Sequence, residues 1–277
     1  MQQYLLLLLT CTLLYACGNE PEATRSDKDR TMADLADDES FQEAHDLPGE
    51  IDFDGKGRMI EIPVANGEAA NAYILEAEEN PDRKFLIVIH EWWGLNDYVR
   101  AETERFFEAL DNTTVIALDM YDGKVATERE QAQEFMQGLS EERAAALVAG
   151  ALAYAGPNAR IGTLGWCFGG GWSLKTSIAA GDNGKACVMY YGMPVKTAAE
   201  LAPLQAPILG IFAKKDGWIN EEVVGKFEDL AAATKKQLTV RWFEADHAFA
   251  NPTRDIYVEE AAEEANELAV DFLKRYL

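Results

Sequence analysis

Basic residues are scarce in this sequence, and their scarcity excludes two classes of partner. Lys and Arg number 25 against 48 Asp and Glu, which gives a net charge of −23. Binding to nucleic acid or to an anionic membrane surface requires clustered Lys and Arg, so we expect neither partner. The surplus of negative charge favours solubility and says little about the fold.

Histidine and cysteine are also rare, with three and four residues. The sequence has no CxxC pair and no His/Cys cluster with the spacing of a metal site, so we expect no metal and no cofactor. It has no internal repeat and no second linker. The chain of 277 residues, 48% of them hydrophobic, is long enough for one α/β domain with a large core.

The first 17 residues have the pattern of an export signal. An apolar run from Tyr4 to Leu14 has signal-peptide length and is too short to span a bilayer. Residues 14–18 (LYACG) resemble a bacterial lipoprotein lipobox, in which the cysteine, here Cys17, becomes lipidated. We expect an exported, membrane-anchored lipoprotein of the periplasm or outer membrane, and a simple secretory signal or an uncleaved anchor remains open.

Residues 18–50 carry eleven acidic and three basic residues and few large apolar side chains. Such a composition buries too little surface to offset the entropy of ordering. It predicts a flexible acidic tether, with at most a short helix around Met32 to Ala44 and a solvated His45. One domain then covers 51–277.

Strand and helix patterns alternate along this domain. An antiparallel hairpin opens it, and later strands are short apolar runs of the kind buried on both faces. Strands are predicted at 58–64, 70–77, 85–90, 114–119, 160–166, 186–191, 207–213 and 238–244, and helices at 96–110, 128–137, 141–154, 170–180, 221–234 and 255–277. This order predicts an α/β fold with a mostly parallel, doubly wound sheet and a site beyond the carboxyl ends of its strands.

The stretch 165–169 (GWCFG) lies between a predicted strand and a predicted helix. Small residues on both sides of a sharp strand-to-helix turn are typical of a nucleophile elbow, with Cys167 at the tip. The helix N-terminus there favours a thiolate. The alternative is a Gly-rich turn with a structural cysteine. Cys187 lies inside a strand-like run and is interpreted as a buried apolar filler that forms no disulfide with Cys167.

A nucleophilic cysteine requires a base, and the base requires an orienting carboxylate. In the nucleophile–acid–histidine order, His247 is the only histidine after Cys167, and Asp216 follows the preceding strand. Asp246 is less favoured because side chains of loop neighbours usually diverge. His90 ends a buried strand and is interpreted mainly as a structural, hydrogen-bonded residue.

The loop 90–96 (HEWWGLN) follows the strand that should supply a second oxyanion donor. The backbone N–H groups of Trp92 and Phe168 are the predicted donors. Glu91 would project near the thiol and could hold or accept its proton, and a capping or solvent-facing Glu91 is an equal alternative.

Together, the cysteine elbow, the Glu-Trp-Trp-Gly loop, residues 119–121 (DMY), Asp216 and residues 245–249 (ADHAF) resemble the dienelactone hydrolase family over roughly 57–277. The resemblance implies an α/β-hydrolase fold and hydrolysis of an enol-lactone ester through an acyl-cysteine. It implies that Cys167 attacks, His247 shuttles the proton, Asp216 orients His247 and Glu91 helps to deprotonate the resting thiol.

The sequence departs from the family where two arginines grip the substrate carboxylate. The corresponding positions read Asp122-Gly123-Lys124 and Ala250-Asn251, so only Lys124 or Arg254 could substitute, and Lys lacks a bidentate fork. The resemblance therefore implies a hydrolase, but it does not imply that the substrate is a dienelactone. The remaining pocket candidates are Trp92, Trp93, Tyr121, Tyr191 and Phe249, although aromatic residues at such positions more often belong to the core.

We therefore predict a cysteine hydrolase that cleaves a small-molecule ester or lactone; a monomer is favoured, and the sequence leaves the oligomeric state open. A hydrolase of thioesters or other acyl links is the nearest alternative. A non-catalytic surface lipoprotein with the same fold is a third, although a strained elbow with a thiol is hard to explain without chemistry.

Overall fold

The structure is a computed structural model, and it describes residues 32–65 and 67–277. The predicted signal, including Cys17, and the first part of the predicted tether lie outside these residues. Among the described residues, no helix is both long enough and apolar enough to cross a membrane.

A single eight-stranded sheet forms the centre of the described domain, with strand order β1-β2-β4-β3-β5-β6-β7-β8. The strands are β1 (Arg58–Ile62), β2 (Ala70–Leu75), β3 (Lys84–Ile89), β4 (Thr113–Leu118), β5 (Arg160–Trp166), β6 (Gly184–Tyr190), β7 (Ile208–Ala213) and β8 (Leu238–Phe243). Strand β2 pairs antiparallel with both β1 and β4, and every other pairing is parallel. The parallel strands therefore end at one edge, where the sequence predicted the site.

Helices precede β1, connect the parallel strands and follow β8. They are α1 (Met32–Leu35), α2 (Glu39–Glu43), α3 (Asp97–Ala109), α4 (Arg129–Gly138), α5 (Glu141–Ala155), α6 (Phe168–Ala180), α7 (Ala198–Leu201), α8 (Glu221–Ala233) and α9 (Glu259–Tyr276). Side-chain caps fix several starts: Asn96 accepts the N–H of Val99 at α3, and Ser140 accepts that of Arg143 at α5.

Two glycines of β5 show that helices cover both faces of the sheet. A Cβ added at Gly162 would meet Leu273 and Leu277 at the end of the chain, whereas one at Gly165 would meet the backbone of Gly169 in α6. The two glycines are three residues apart on a strand, so they face opposite sides of the sheet. The predicted doubly wound α/β architecture is confirmed.

The differences from the predicted elements are local. Helix α9 begins at Glu259 instead of 255, because the Asn251 side chain accepts the backbone N–H of Thr253 and the chain turns again before the helix. The short helix α7 has a capping box between Thr197 and Glu200, which was not predicted. Neither difference moves a strand end at the site edge.

Candidate active site

Cys167 lies at a sharp turn between β5 and α6. Its φ of 55° and ψ of −117° are strained for a residue with a side chain, which is the expected conformation of a nucleophile elbow. The flanking glycines are sterically required: a Cβ at Gly165 would lie 2.2 Å from the carbonyl oxygen of Gly169, and one at Gly169 would lie 2.1 Å from that of Ile89. The turn therefore holds the thiol at the start of a helix.

His247 and Asp216 come together from the loops that follow β8 and β7. Nδ1 of His247 lies 2.5 Å from Oδ2 of Asp216, and both side chains are buried. The other carboxylate oxygen accepts the backbone N–H groups of Trp218 and Ile219 at 2.9 Å. Asp246, the disfavoured alternative, is exposed. The geometry thus pairs the imidazole with the carboxylate chosen from the sequence.

The thiol of Cys167 approaches this imidazole from the opposite side. Its Sγ lies within 4.8 Å of a ring nitrogen of His247. Because Nδ1 is engaged by Asp216, Nε2 is the nitrogen available to the thiol, and Nε2 has no hydrogen-bond partner within the described residues. The arrangement can pass a proton between sulfur and imidazole once the two atoms close to contact distance.

Charges around His247 favour its protonated form. Burial lowers the pKa of His247, but the Asp216 carboxylate and the Cys167 sulfur outweigh burial and raise the pKa to about 10. Burial also acts on Asp216, whose pKa nevertheless falls because His247 and two backbone N–H groups stabilise the carboxylate. The site is therefore built to hold an imidazolium beside anionic groups.

This raised pKa predicts how stability depends on pH. The folded-state pKa of about 10 lies above the ordinary value near 6.5, so the contribution is complete below about pH 6.5 and is lost as pH rises towards 10. We expect the wild-type melting temperature to fall more between neutral pH and pH 10 than that of His247→Gln, measured by thermal unfolding. Parallel curves for the two proteins would contradict the assignment.

Glu91 is buried directly after β3, where the predicted oxyanion loop begins. Its Oε2 accepts the side-chain N–H of Asn251 at 2.8 Å, while its Oε1 has no partner among the described residues. Burial raises the pKa of Glu91, although Arg254, Asn251 and His247 oppose this. A buried carboxyl group with one uncommitted oxygen is suited to exchange a proton, and the solvent-facing alternative for Glu91 is wrong.

His90 is structural, as favoured from the sequence. Its Nε2 accepts the backbone N–H of Met120 at 3.0 Å, and its Nδ1 lies 2.6 Å from the carbonyl oxygen of Glu91. Burial lowers the pKa of His90, so the ring is neutral with the proton on Nδ1. The ring thereby connects the loop after β3 to the loop after β4.

The two predicted oxyanion donors belong to the loop after β3 and to the first turn of α6. Phe168 is the first residue of α6, so its N–H has no carbonyl partner inside the helix. Trp92 follows Glu91 and is fully buried. The ring of His90 stacks on Phe168 with centroids 5.8 Å apart, which brings the two loops together.

The remaining pocket candidates divide into three groups. Trp93, Tyr191 and Phe249 are fully buried aromatic residues, and the Tyr191 ring lies 5.0 Å from that of His247. Tyr121 and the exposed Lys124 line a surface pocket with Phe135. Arg254 is buried and donates to the carbonyl oxygen of Ala44 at 3.0 Å. Of the two candidate cations, only Arg254 is within electrostatic range of Glu91.

The prediction of a solvated tether is wrong for the described part of residues 18–50. Leu35, Ala36, Phe41 and His45 are all at most 2% exposed. The ring of Phe41 packs on Trp92 and Trp218 with centroids 5.5 and 5.1 Å away, and His45 lies 5.0 Å from the ring of His247. A few apolar side chains therefore suffice to fix this acidic segment, because the domain offers them an aromatic surface over the site.

Two residues of the site were missed in the sequence. Asn251 was noted only as a missing arginine, yet it holds Glu91, and its own Oδ1 accepts the hydroxyl of Thr253 at 2.6 Å. The prediction of a solvated His45 is wrong, since this residue is buried. The one signal for it is the pair of aromatic residues Phe41 and His45 at helical spacing in a charged stretch.

Both cysteines of the described residues are free, so no disulfide joins Cys167 to Cys187. Cys187 is fully buried in β6, and burial raises the pKa of its thiol to about 11, against hydrogen bonds from Thr163, Ser173 and Ser177 that lower it. The interpretation of Cys187 as an inert buried filler is confirmed.

Comparison with known proteins gives a consistent result. A model of the dienelactone hydrolase family matches residues 70–277. The protein Usf of Aquifex pyrophilus is 30% identical over 80% of this chain and 99% of its own length. Carboxymethylenebutenolidase 1 of Cupriavidus pinatubonensis is 24% identical over 77% of this chain and 95% of its own.

The fold is also shared with solved structures. A dienelactone hydrolase-like promiscuous phosphotriesterase, P91 from metagenomic libraries, superimposes with a TM-score of 0.70 over 80% of this chain and 98% of that one. The identity is 18%, so this likeness shows the fold alone.

Proposed function

The chain belongs to the dienelactone hydrolase family, and on that premise we propose that it cleaves a small-molecule ester or lactone through an acyl-cysteine intermediate. The observation that carries the proposal is the grouping of three side chains from three different loops at one sheet edge. His247 is held by Asp216 at 2.5 Å, and the sulfur of Cys167 lies within 4.8 Å of the same imidazole. Nucleophile, base and orienting acid are the components that acyl transfer requires.

In the first half-reaction the Cys167 thiolate attacks the carbonyl carbon and forms a C–S bond. The carbonyl oxygen becomes an oxyanion, which the N–H groups of Trp92 and Phe168 stabilise by about 3 kcal/mol each. The C–O bond then breaks, and the departing alkoxide takes the proton from Nε2 of His247. The imidazolium held beside Asp216 is in the correct state to give that proton.

In the second half-reaction water attacks the acyl-cysteine. His247 takes a proton from the water, the new C–O bond forms, and the C–S bond breaks to return the thiolate and a carboxylic acid. Asp216 stabilises the imidazolium in both halves and keeps the proton on Nδ1.

Glu91 serves the resting enzyme in this proposal. Its free Oε1 accepts the thiol proton when substrate enters, and Asn251 keeps the carboxyl group in place through Oε2. Because burial raises the pKa of Glu91, the carboxyl group takes up a proton more readily than an exposed one would.

We expect Glu91→Gln to slow both ester hydrolysis and alkylation of Cys167 by iodoacetamide by about 100-fold, the scale of a lost proton acceptor. Glutamine keeps the volume and a polar partner for Asn251 but cannot take the proton. The matched control is Glu104→Gln, which removes another buried carboxylate, bonded to the Tyr73 hydroxyl at 2.5 Å. Equal alkylation rates in the two variants would show that Glu91 does not accept the thiol proton.

We limit the proposed substrate to esters and lactones as a class. The relative from Cupriavidus pinatubonensis is named a carboxymethylenebutenolidase, but this chain lacks the arginine pair expected for that carboxylate substrate. Arg254 is a buried cation near Glu91, and it is engaged by the carbonyl of Ala44. A panel of esters and lactones with and without a carboxylate resolves the substrate class.

The experiment that tests the proposed function is capture of the intermediate. The full chain is mixed with an activated phenyl ester, quenched in acid and analysed by mass spectrometry. We expect one acyl group per chain on the peptide that contains Cys167, with none on Cys187. Turnover without such an adduct, or an adduct confined to another residue, would overturn the proposal.

We also propose export with a lipid on Cys17, based on the signal pattern of the first 17 residues. Labelling of cells with a radioactive fatty acid should mark the wild-type chain and leave Cys17→Ala unmarked. Equal labelling of both proteins would refute lipidation at Cys17.

A further inference from the structure

Three potential ligands meet at the site although they are far apart in the sequence. A ring nitrogen of His45, Sγ of Cys167 and a ring nitrogen of His247 all lie within 4.8 Å of one another. All three residues are at most 4% exposed. The hydrolytic cycle uses only two of them, so His45 has no role in it.

Hydrogen bonds determine which nitrogen each histidine presents. Nδ1 of His45 lies 2.6 Å from the carbonyl oxygen of Phe41, which accepts only a proton-bearing nitrogen. Nδ1 of His247 is engaged in the same way by Asp216. Nε2 of His45 is thus left with a lone pair, and Nε2 of His247 offers one once it releases its proton; neither atom has a hydrogen-bond partner in the described part of the chain. Histidines that bind metal ions are oriented by such carbonyl and carboxylate partners.

The position of His45 is fixed from both sides. The guanidinium of Arg254 donates to the carbonyl oxygen of Ala44, and that of Arg129 donates to the carbonyl oxygen of His45 at 2.9 Å. Phe41, one helical turn earlier, is fully buried against Trp92 and Trp218. The segment therefore delivers the imidazole to the thiol as part of a packed structure.

We propose that His45, Cys167 and His247 form a binding site for one borderline divalent cation, with Zn²⁺ as the best fit. One thiolate and two neutral imidazoles are a ligand set that zinc prefers, and three protein ligands leave a fourth position for water. With zinc–ligand bonds of about 2.0–2.3 Å, the three atoms have to close by roughly 1 Å, which side-chain rotations can supply.

Charge balance agrees with a dication. The thiolate of Cys167 and the carboxylates of Asp216 and Glu91 contribute three negative charges, and Arg254 contributes one positive charge. A cation with two positive charges makes this buried group neutral, which lowers the cost of burying it. On binding, the Cys167 thiol and Nε2 of His247 each release a proton to solvent, and the cation loses water ligands.

Metal and substrate compete for the same atoms in this arrangement. The cation occupies the sulfur that attacks and the nitrogen that transfers the proton, so it inhibits hydrolysis reversibly. It also cross-links the N-terminal segment to the loops after β5 and β8 through His45. The site is therefore inhibitory. Its third ligand, His45, comes from the segment that precedes the catalytic domain.

The test uses the full chain, stripped of metal with a chelator and then desalted. Zn²⁺ is titrated at neutral pH against a chromophoric chelator, which reports stoichiometry and affinity without any activity measurement. We expect one Zn²⁺ per wild-type chain and none in Cys167→Ala. His45→Ala should bind about 10- to 100-fold more weakly, since loss of even an outer-shell partner costs that much.

Cys187→Ala is the matched control, because it removes a buried cysteine outside the site and should bind Zn²⁺ like the wild type. His45→Gln keeps the side chain's size if His45→Ala unfolds, as judged by melting temperature. Co²⁺ supplies an independent readout on the wild-type protein, since a thiolate ligand gives a sulfur-to-cobalt charge-transfer absorption in the near ultraviolet. That absorption should be absent from Cys167→Ala.

Several results would overturn the site. These are no Zn²⁺ bound by the wild type, unchanged affinity in both His45 variants, or loss of the site in Cys187→Ala. Zinc binding in a protein that hydrolyses no ester would refute the proposed function and leave the metal site standing. Hydrolysis that is insensitive to Zn²⁺, together with no cobalt absorption, would refute the metal site and leave the proposed function standing.

Discussion

Replacement of Cys167 by alanine should abolish ester hydrolysis, with kcat lower by about 10⁶-fold, the scale seen when the nucleophile of a catalytic triad is removed. Cys167→Ser should keep the fold and lose about 10²- to 10³-fold, because a hydroxyl stays protonated where a thiol ionises. Both variants retain the elbow, whose strain depends on the backbone at φ 55° and on the glycines beside it. The measurement is steady-state hydrolysis of a phenyl ester and of a lactone.

Cys187→Ala is the control for these substitutions. Cys187 is as buried as Cys167, but its neighbours are Ser173 and Thr163 instead of an imidazole. We expect its activity to stay within about threefold of wild type, with only a modest loss of stability. Near-wild-type turnover in Cys167→Ser would contradict a thiolate mechanism, and equal losses in both alanine variants would indicate a general effect on packing.

The sheet and the elbow could be predicted because local sequence determines them. Apolar runs such as Phe85 to Ile89 have no polar face, so they can only be strands buried on both sides. The elbow glycines are similarly diagnostic, since the backbone of Ile89 leaves no room for a side chain at Gly169. His247 and Asp216 followed from the order of the strands, because parallel strands place the loops that follow them at one edge.

The N-terminal segment could not be predicted because its order is imposed by the domain. Its composition is that of a disordered chain. Phe41 and His45 are ordered by contacts with aromatic rings of distant loops, including Trp92 and Trp218. Such contacts join residues that are more than 45 positions apart, and no local pattern reports them. The same limit applies to the bond between Asn251 and Glu91, which spans 160 positions.

The N-terminal segment packs beside the buried thiol. Cys167 is 1% exposed, a ring nitrogen of His45 lies within 4.8 Å of its Sγ, and the rings of Phe41 and His45 lie 6.2 and 5.0 Å from that of His247. Because the thiol is buried, a substrate reaches the sulfur only after neighbouring side chains move aside. Entry of substrate therefore disturbs the aromatic packing that orders residues 32–50, as is common where a lid covers a site.

Asp216→Asn should lower kcat by about 10³- to 10⁴-fold while KM changes little. An asparagine offers Nδ1 of His247 either an oxygen or an N–H, and the second choice selects the wrong tautomer, with the proton on the nitrogen that faces the thiol. It also removes the carboxylate that raises the pKa of His247. The basic limb of the kcat/KM profile should therefore move to lower pH in the variant, because the imidazolium loses its proton earlier.

Asp246→Asn is the matched control, since Asp246 is the neighbour of His247 in sequence but its side chain is exposed. We expect its rate and pH profile to match the wild type within about twofold, because an exposed charge is screened by water. The decisive comparison is the pair of pH–rate profiles, recorded with one ester. Two results would contradict the role of Asp216, whose carboxylate lies 2.5 Å from Nδ1 of His247. One is a loss of activity in Asp246→Asn, and the other is an Asp216→Asn rate above a tenth of the wild-type rate.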